Sequence, residues 1–176
     1  ISNNDIRLIN DEIQNSNCIL INSSLESINF GYNKLSNFEV ILEFIGNLSS
    51  RNQYLKDIDL NNCLLSSLSF QSILEYAKQG SLKKLNLSKN NLRNQESFIS
   101  DLIIHTSITT LLINSCKLDD TSICNIFNRL NDHKQINQNS DFSLIELDLG
   151  CNSFLDESLK SLSKFLQKSK LKEISL

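Results

Sequence analysis

Proline, methionine and tryptophan are absent from this 176-residue sequence, and it holds only four glycines and two histidines. Without proline there is no Pro-rich recognition segment and nothing that must break a helix. Scarce glycine goes with the lack of any G-x-x-x-x-G-K phosphate loop. The histidines, His105 and His133, stand in no motif spacing with cysteine or serine, and no metal-ligand cluster is visible. No catalytic, cofactor or metal site is therefore expected. An excess of positive charge is missing too. A net charge of -3 and a pI of about 5.4 argue against a nucleic-acid partner, which calls for a basic footprint. No apolar run reaches the length of a membrane span, and no leader opens the chain. The five cysteines are odd in number and include no C-x-x-C pair. Cys63 and Cys116 are expected inside, while Cys18, Cys124 and Cys151 have no evident partner. Free thiols suit a reducing compartment, so an intracellular protein is expected. The triplets beginning at Asn22, Asn47 and Asn86 match glycan acceptors, but chance produces them in an Asn- and Ser-rich chain, and Asn86 is expected within a strand.

What is present is a spacing. Leu55, Ile58, Leu60, Cys63 and Leu65 occupy positions 1, 4, 6, 9 and 11 of the pattern L-x-x-L-x-L-x-x-N/C-x-L. The pattern returns from Leu25, Leu82, Ile108 and Leu144, and its first half returns from Leu171. The starts at residues 25, 55, 82, 108, 144 and 171 give intervals of 30, 27, 26, 36 and 27 residues. The expected fold is α/β: a leucine-rich-repeat solenoid, a right-handed superhelix with a parallel concave sheet and convex helices. One array fills 1–176, with a partial unit 1–24, units 25–54, 55–81, 82–107, 108–143 and 144–170, and a partial unit 171–176. With partial units at both ends and isoleucine at residue 1, the chain reads as an excerpt of a longer horseshoe.

Each unit has room for a helix after position 11, and apolar residues recur there at helical spacing. The stripes are Val40, Ile41, Phe44, Ile45 and Leu48; Phe70, Ile73, Leu74 and Ala77; Phe98, Ile99, Leu102 and Ile103; Ile123, Ile126, Phe127 and Leu130; and Leu159, Leu162 and Leu166. Ser69, Asp120 or Thr121, and Asp156 are the expected N-caps. The long interval holds a polar, aperiodic stretch from Asn131 to Phe142. It reads as an extended helix end followed by a loop.

At position 9, Asn4, Asn33, Asn90 and Asn152, with Cys63 and Cys116, are expected to bridge the turns of adjacent units. A carboxamide supplies both donors and an acceptor there. Positions 3, 5 and 7 alternate away from the core, so they should line the concave face. That face carries Asp57, Asp59, Glu146, Asp148 and Glu173 against Lys84, with Leu112 its one large apolar residue. Asp57, Asp59, Lys84, Leu112, Glu146 and Asp148 are the candidate protein-binding residues, suited to a basic partner. On the convex side, Lys160, Lys164, Lys168, Lys170 and Lys172 form a candidate stripe for an anionic membrane or an acidic partner.

The long units with helical second halves resemble the ribonuclease-inhibitor-like class of leucine-rich repeats. Within it, three features resemble the repeat domain of the CARMIL family. These are the order of unit lengths, the insertion between Phe127–Leu130 and Leu144–Leu149, and the strands Leu55–Cys63 and Leu82–Leu92. The resemblance implies a non-catalytic cytoplasmic scaffold, at the cell cortex, that regulates actin filament assembly and capping protein. Actin-regulatory partners, membrane contact and self-association of the whole protein go with it. The family's capping-protein segment lies in a Pro-rich tail, which this Pro-free sequence does not contain. The alternatives are a GTPase-activating protein of the Ran type, for which Arg51, Arg93 and Arg129 present no evident match, and the substrate-recognition repeat of a ubiquitin ligase adaptor.

Overall fold

The computed structural model describes residues 25–35, 55–137 and 141–176. The readings at Asn4, Cys18, Asn22, Asn47, Arg51 and the stripe Val40–Leu48 lie outside these residues. The chain forms β1 (Ser27–Asn29), β2 (Asp57–Asp59), α1 (Ser67–Ala77), β3 (Lys84–Asn86), α2 (Glu96–His105), β4 (Thr110–Leu112), α3 (Asp120–Ile136), β5 (Glu146–Asp148), α4 (Asp156–Leu166) and β6 (Glu173–Ser175). The α/β class is as expected. All six strands are parallel and lie in sequence order in one sheet.

The register has no slip. Ile28, Ile58, Leu85, Leu111, Leu147 and Ile174 align across the sheet, one from each strand. Period-2 alternation sends this row inward, and the four central members are buried. The leucines and isoleucines at positions 1, 6 and 11 join them in one core with the inward faces of the helices. Full burial of each such side chain stabilises by roughly 1.5–3 kcal/mol. Each helix packs on the next: α1 on α2, α2 on α3, α3 on α4.

The chain leaves each of β1–β5 through a left-handed turn position that favours glycine but holds another residue. Position 8 is Tyr32, Asn62, Lys89, Ser115 and Cys151, each with φ between 54° and 61°. A left-handed non-glycine residue costs roughly 1–2 kcal/mol. Side-chain bonds at position 9 offset that cost. Asn90 Nδ2 reaches Leu60 O of the preceding unit (2.8 Å) and its own Leu87 O (2.9 Å), while its Oδ1 accepts from the N–H groups of Cys63 (3.0 Å) and Leu65 (3.3 Å). Asn152 repeats the pattern one pair of units later, on Ile113 O, Leu149 O, Cys116 N and Leu118 N.

Cysteine fills the alternate places by a different route. The Cys63 thiol donates to Phe30 O (3.2 Å) and the Cys116 thiol to Leu87 O (3.4 Å). A thiol cannot replace the carboxamide acceptor, and the cysteine carbonyl does that work, accepting from Leu35 N and Leu92 N. These two units also place position 10, Leu64 and Lys117, in the left-handed region. Burial pushes the Cys63 thiol up to about 11 and the Cys116 thiol up to about 12. Cys151 is exposed and Cys124 half-buried, and all four are free. In native alkylation resolved by mass spectrometry, Cys151 is expected to label first, with Cys63 and Cys116 protected until the chain unfolds. Early labelling of Cys63 or Cys116 would show that the ladder opens locally.

Three helix starts differ from expectation by one to three residues. Ser66, not Ser69, caps α1, and the two hydroxyls reciprocate. Asp119 caps α3 by accepting from Ser122 N (2.8 Å). That frees Asp120 to reach the next unit, where its Oδ1 accepts from Leu155 N (2.7 Å) and Ser158 N (3.3 Å) at the start of α4. Leu155 holds the cap position of α4, displacing Asp156. The expected α4 stripe is also corrected. Leu162 and Phe165 are buried, but Leu159 is 43% and Leu166 38% exposed. Ile123 and Leu130 hold the same helical phase in α3 and are fully covered, because α4 packs against α3.

The insertion enters partly as helix, as expected, since α3 runs on to Ile136. Its far end is not a plain polar loop. Phe142 is buried against Phe165 (ring centroids 5.7 Å) and His133 (6.0 Å). Beside it, Asp141 bridges Lys134 and Lys170, 2.7 Å from each. These cations, Lys134 first, hold its carboxyl down at about 2. The bridge is therefore intact above the ordinary carboxylate range and is lost as pH falls through about 2. A carbon-detected NMR titration is expected to place Asp141 near that value and to move it upward in Lys134→Ala. An ordinary carboxylate midpoint in the parent chain would show that the bridge does not persist in solution.

Candidate binding surfaces

The open face of the sheet is built from the two rows that flank the inward one. The first row is Ser27, Asp57, Lys84, Thr110, Glu146 and Glu173; the second is Asn29, Asp59, Asn86, Leu112, Asp148 and Ser175. Neighbouring members stand about 4.8 Å apart. All of these residues are half-buried or exposed. Position 7, expected beside them, departs: Gly31, Ser88 and Gly150 are buried. The Asn114 side chain lies across Gly150, where a Cβ would come within 2.8 Å of Asn114 Nδ2.

The six candidate residues on this face have unequal freedom. Asp57 makes no side-chain hydrogen bond among the described residues, and Lys84 makes no ion pair among them, although the two are register partners. Glu146 Oε2 accepts from Thr110 Oγ1 (3.1 Å) and is otherwise open. Asp59 and Asp148 are committed in part to the fold. Each turns its Oδ1 back onto the backbone two residues on, accepting from Asn61 N (2.8 Å) and Gly150 N (2.9 Å). Asn29 and Asn86 do the same for Gly31 N (2.7 Å) and Ser88 N (3.0 Å). Aspartate and asparagine are thus interchangeable here for the turn, and only the charge of Asp59 and Asp148 is left for a partner. The reappearance of Asx at position 5 was the sequence signal for this role. Leu112 is the one exception in β1–β5.

The lysines do not form one helical stripe. Lys160 and Lys164 lie on α4, which ends at Leu166 with Gln167 as its C-cap, so Lys168 falls beyond it. Lys170 and Lys172 lie on the link to β6. Lys160 pairs with Glu157 (2.7 Å) and Lys170 with Asp141. Among the described residues, Lys164, Lys168 and Lys172 have no ion-pair partner.

Elsewhere, His105 and His133 meet edge to face with ring centroids 6.3 Å apart, and His105 Nε2 lies 3.7 Å from Asp101. No group of three His, Cys, Asp or Glu that could hold a metal occurs among the described residues. Arg129 is bound to α2, with Nη2 on Asp101 (2.7 Å) and Nη1 on Ser97 O (3.1 Å). No described helix is long and apolar enough to cross a membrane. No protein-family model matches the chain, and no curated protein matches it.

Proposed function

We propose that this chain is a leucine-rich-repeat solenoid and serves as a non-catalytic protein-interaction scaffold of the CARMIL kind. It acts in the cytoplasm, at the cell cortex, in the control of actin filament assembly. The observation that carries the reading is the run of parallel strands in sequence order, tied unit to unit by Asn90, Cys116 and Asn152 while one sheet face stays open. Such a stack presents a broad, preformed surface for a partner. Its open face bears Asp57, Asp59, Glu146, Asp148 and Glu173 against Lys84, which supports a basic protein ligand. The free thiols of Cys63, Cys116, Cys124 and Cys151 support a reducing compartment. The engagement of Arg129 with α2 weighs against its use as a catalytic arginine in GTP hydrolysis. Affinity capture with the intact protein is the test of the family reading. Capping protein should co-purify; its absence, under conditions that retain other partners, would sink that reading.

A further inference from the structure

Turn chemistry asks for an acceptor at position 5 of every strand, and β4 declines to supply one. In β1, β2, β3 and β5 the residue is Asn29, Asp59, Asn86 or Asp148, and its Oδ1 takes the backbone N–H two residues later. In β4 it is Leu112, so the N–H of Asn114 would be left without a partner. Ser88 Oγ of the preceding unit accepts it instead, at 3.3 Å. A local rule is broken, and a neighbouring side chain repairs the damage. Such breaks with compensation mark sites kept for something other than folding. The core gains nothing from Leu112, since Leu111 and Ile113 on either side fill it. Leu112 is half-buried in mid-sheet, with Asn86 and Asp148 as register partners and Thr110 on its own strand. An apolar centre within a polar rim is how interface patches are built.

We propose that Leu112 is the apolar anchor of a docking site for a basic segment of a partner protein, in which an apolar side chain is followed by lysine or arginine. The proposal rests on the reading of the open face as a binding surface and adds direction to it. Over the two strands on the β5 and β6 side of Leu112 stand Glu146, Asp148 and Glu173; over the two on the β3 and β2 side Lys84 offsets one of the carboxylates Asp57 and Asp59, so the acid is concentrated toward β5 and β6. A segment crossing the strands would set its apolar residue on Leu112 and its cations over β5 and β6, spaced by the strand separation of about 4.8 Å.

The probe is a fluorescein-labelled peptide, Gly-Ser-Gly-Leu-Lys-Arg-Lys-Gly-Ser, followed by anisotropy at low and high salt. Its controls carry serine for leucine, or glutamate for the three cations. Leu112→Asn is the informative variant, because β1 and β3 already use asparagine in this row. Its melting temperature should hold or rise, and Ser88→Ala should lower the melting temperature less in its presence than in the parent chain. Affinity for the leucine peptide should fall about tenfold in Leu112→Asn, equivalent to about 1.4 kcal/mol, while the serine peptide binds both proteins alike. Neutralising Glu146→Gln with Asp148→Asn should weaken both cationic peptides and flatten the salt dependence. Loss of binding on neutralisation alone, with Leu112→Asn silent, would overturn the anchor and leave the acidic docking face standing. Failure of the peptide to bind, or indifference to both changes, would overturn both.

Discussion

Asn90→Ala is expected to lower the stability of the chain by about 3 kcal/mol or more, since a single buried polar group left unpaired costs about 1–3 kcal/mol. The substitution leaves several. The N–H groups of Cys63 and Leu65 lose their acceptor, and Leu60 O loses the amide that joins the units. Leu87 O keeps a bond from the Cys116 thiol, so the damage is concentrated on the β2 side. The urea midpoint should fall with little change in slope, as for a loss of native stability. Asn90→Cys should land between alanine and the parent. A thiol could donate to Leu60 O as Cys116 does to Leu87 O, but it offers no acceptor for the two N–H groups. An unchanged midpoint in Asn90→Ala would refute the bridging role.

Phe165→Ala should cost about 3–5 kcal/mol, the range for truncating a buried aromatic ring. The ring lies 5.3 Å from Phe127 and 5.7 Å from Phe142, so it joins α3, the insertion and α4 in one contact. Its loss should also release Phe142, leaving the segment held through Asp141, Lys134 and Lys170. Hydrogen exchange should then quicken at 141–145 beyond the rest of the chain. A stability loss without that local change would mean that His133 and the Asp141 bridge suffice to seat the insertion.

Much of this architecture is legible in the sequence. Period-2 alternation and the spacing of positions 1, 4, 6, 9 and 11 identify the inward rows, because a slip of one residue would turn every strand inside out. Helical spacing located the buried faces of α1, α2 and α3. It misassigned α4, where Leu159 and Leu166 are apolar but exposed, since a stripe records what a helix can bury and not what lies against it. Phe142 escaped notice for the opposite reason: one apolar residue in a polar run has no period. Asp59 and Asp148 count as candidate binding acids in the sequence because charge on a strand suggests a partner. Their turn role needs the comparison with Asn29 and Asn86. Asp120, with Thr121, is locally a cap candidate for its own helix, and its reach to α4 depends on the stacking of units, which no local pattern contains.

The alternation of Asn33, Cys63, Asn90, Cys116 and Asn152 carries a rule for rearranging the chain. The asparagine units lend an acceptor backward and the cysteine units lend a carbonyl backward, with a left-handed residue at position 10 where the asparagine units have none. The smallest segment that can be copied or removed without mismatching a seam is therefore two units long. Excising a single unit would set like against like. Gain or loss in pairs would leave each seam as it was, so the natural grain of this array is the couplet.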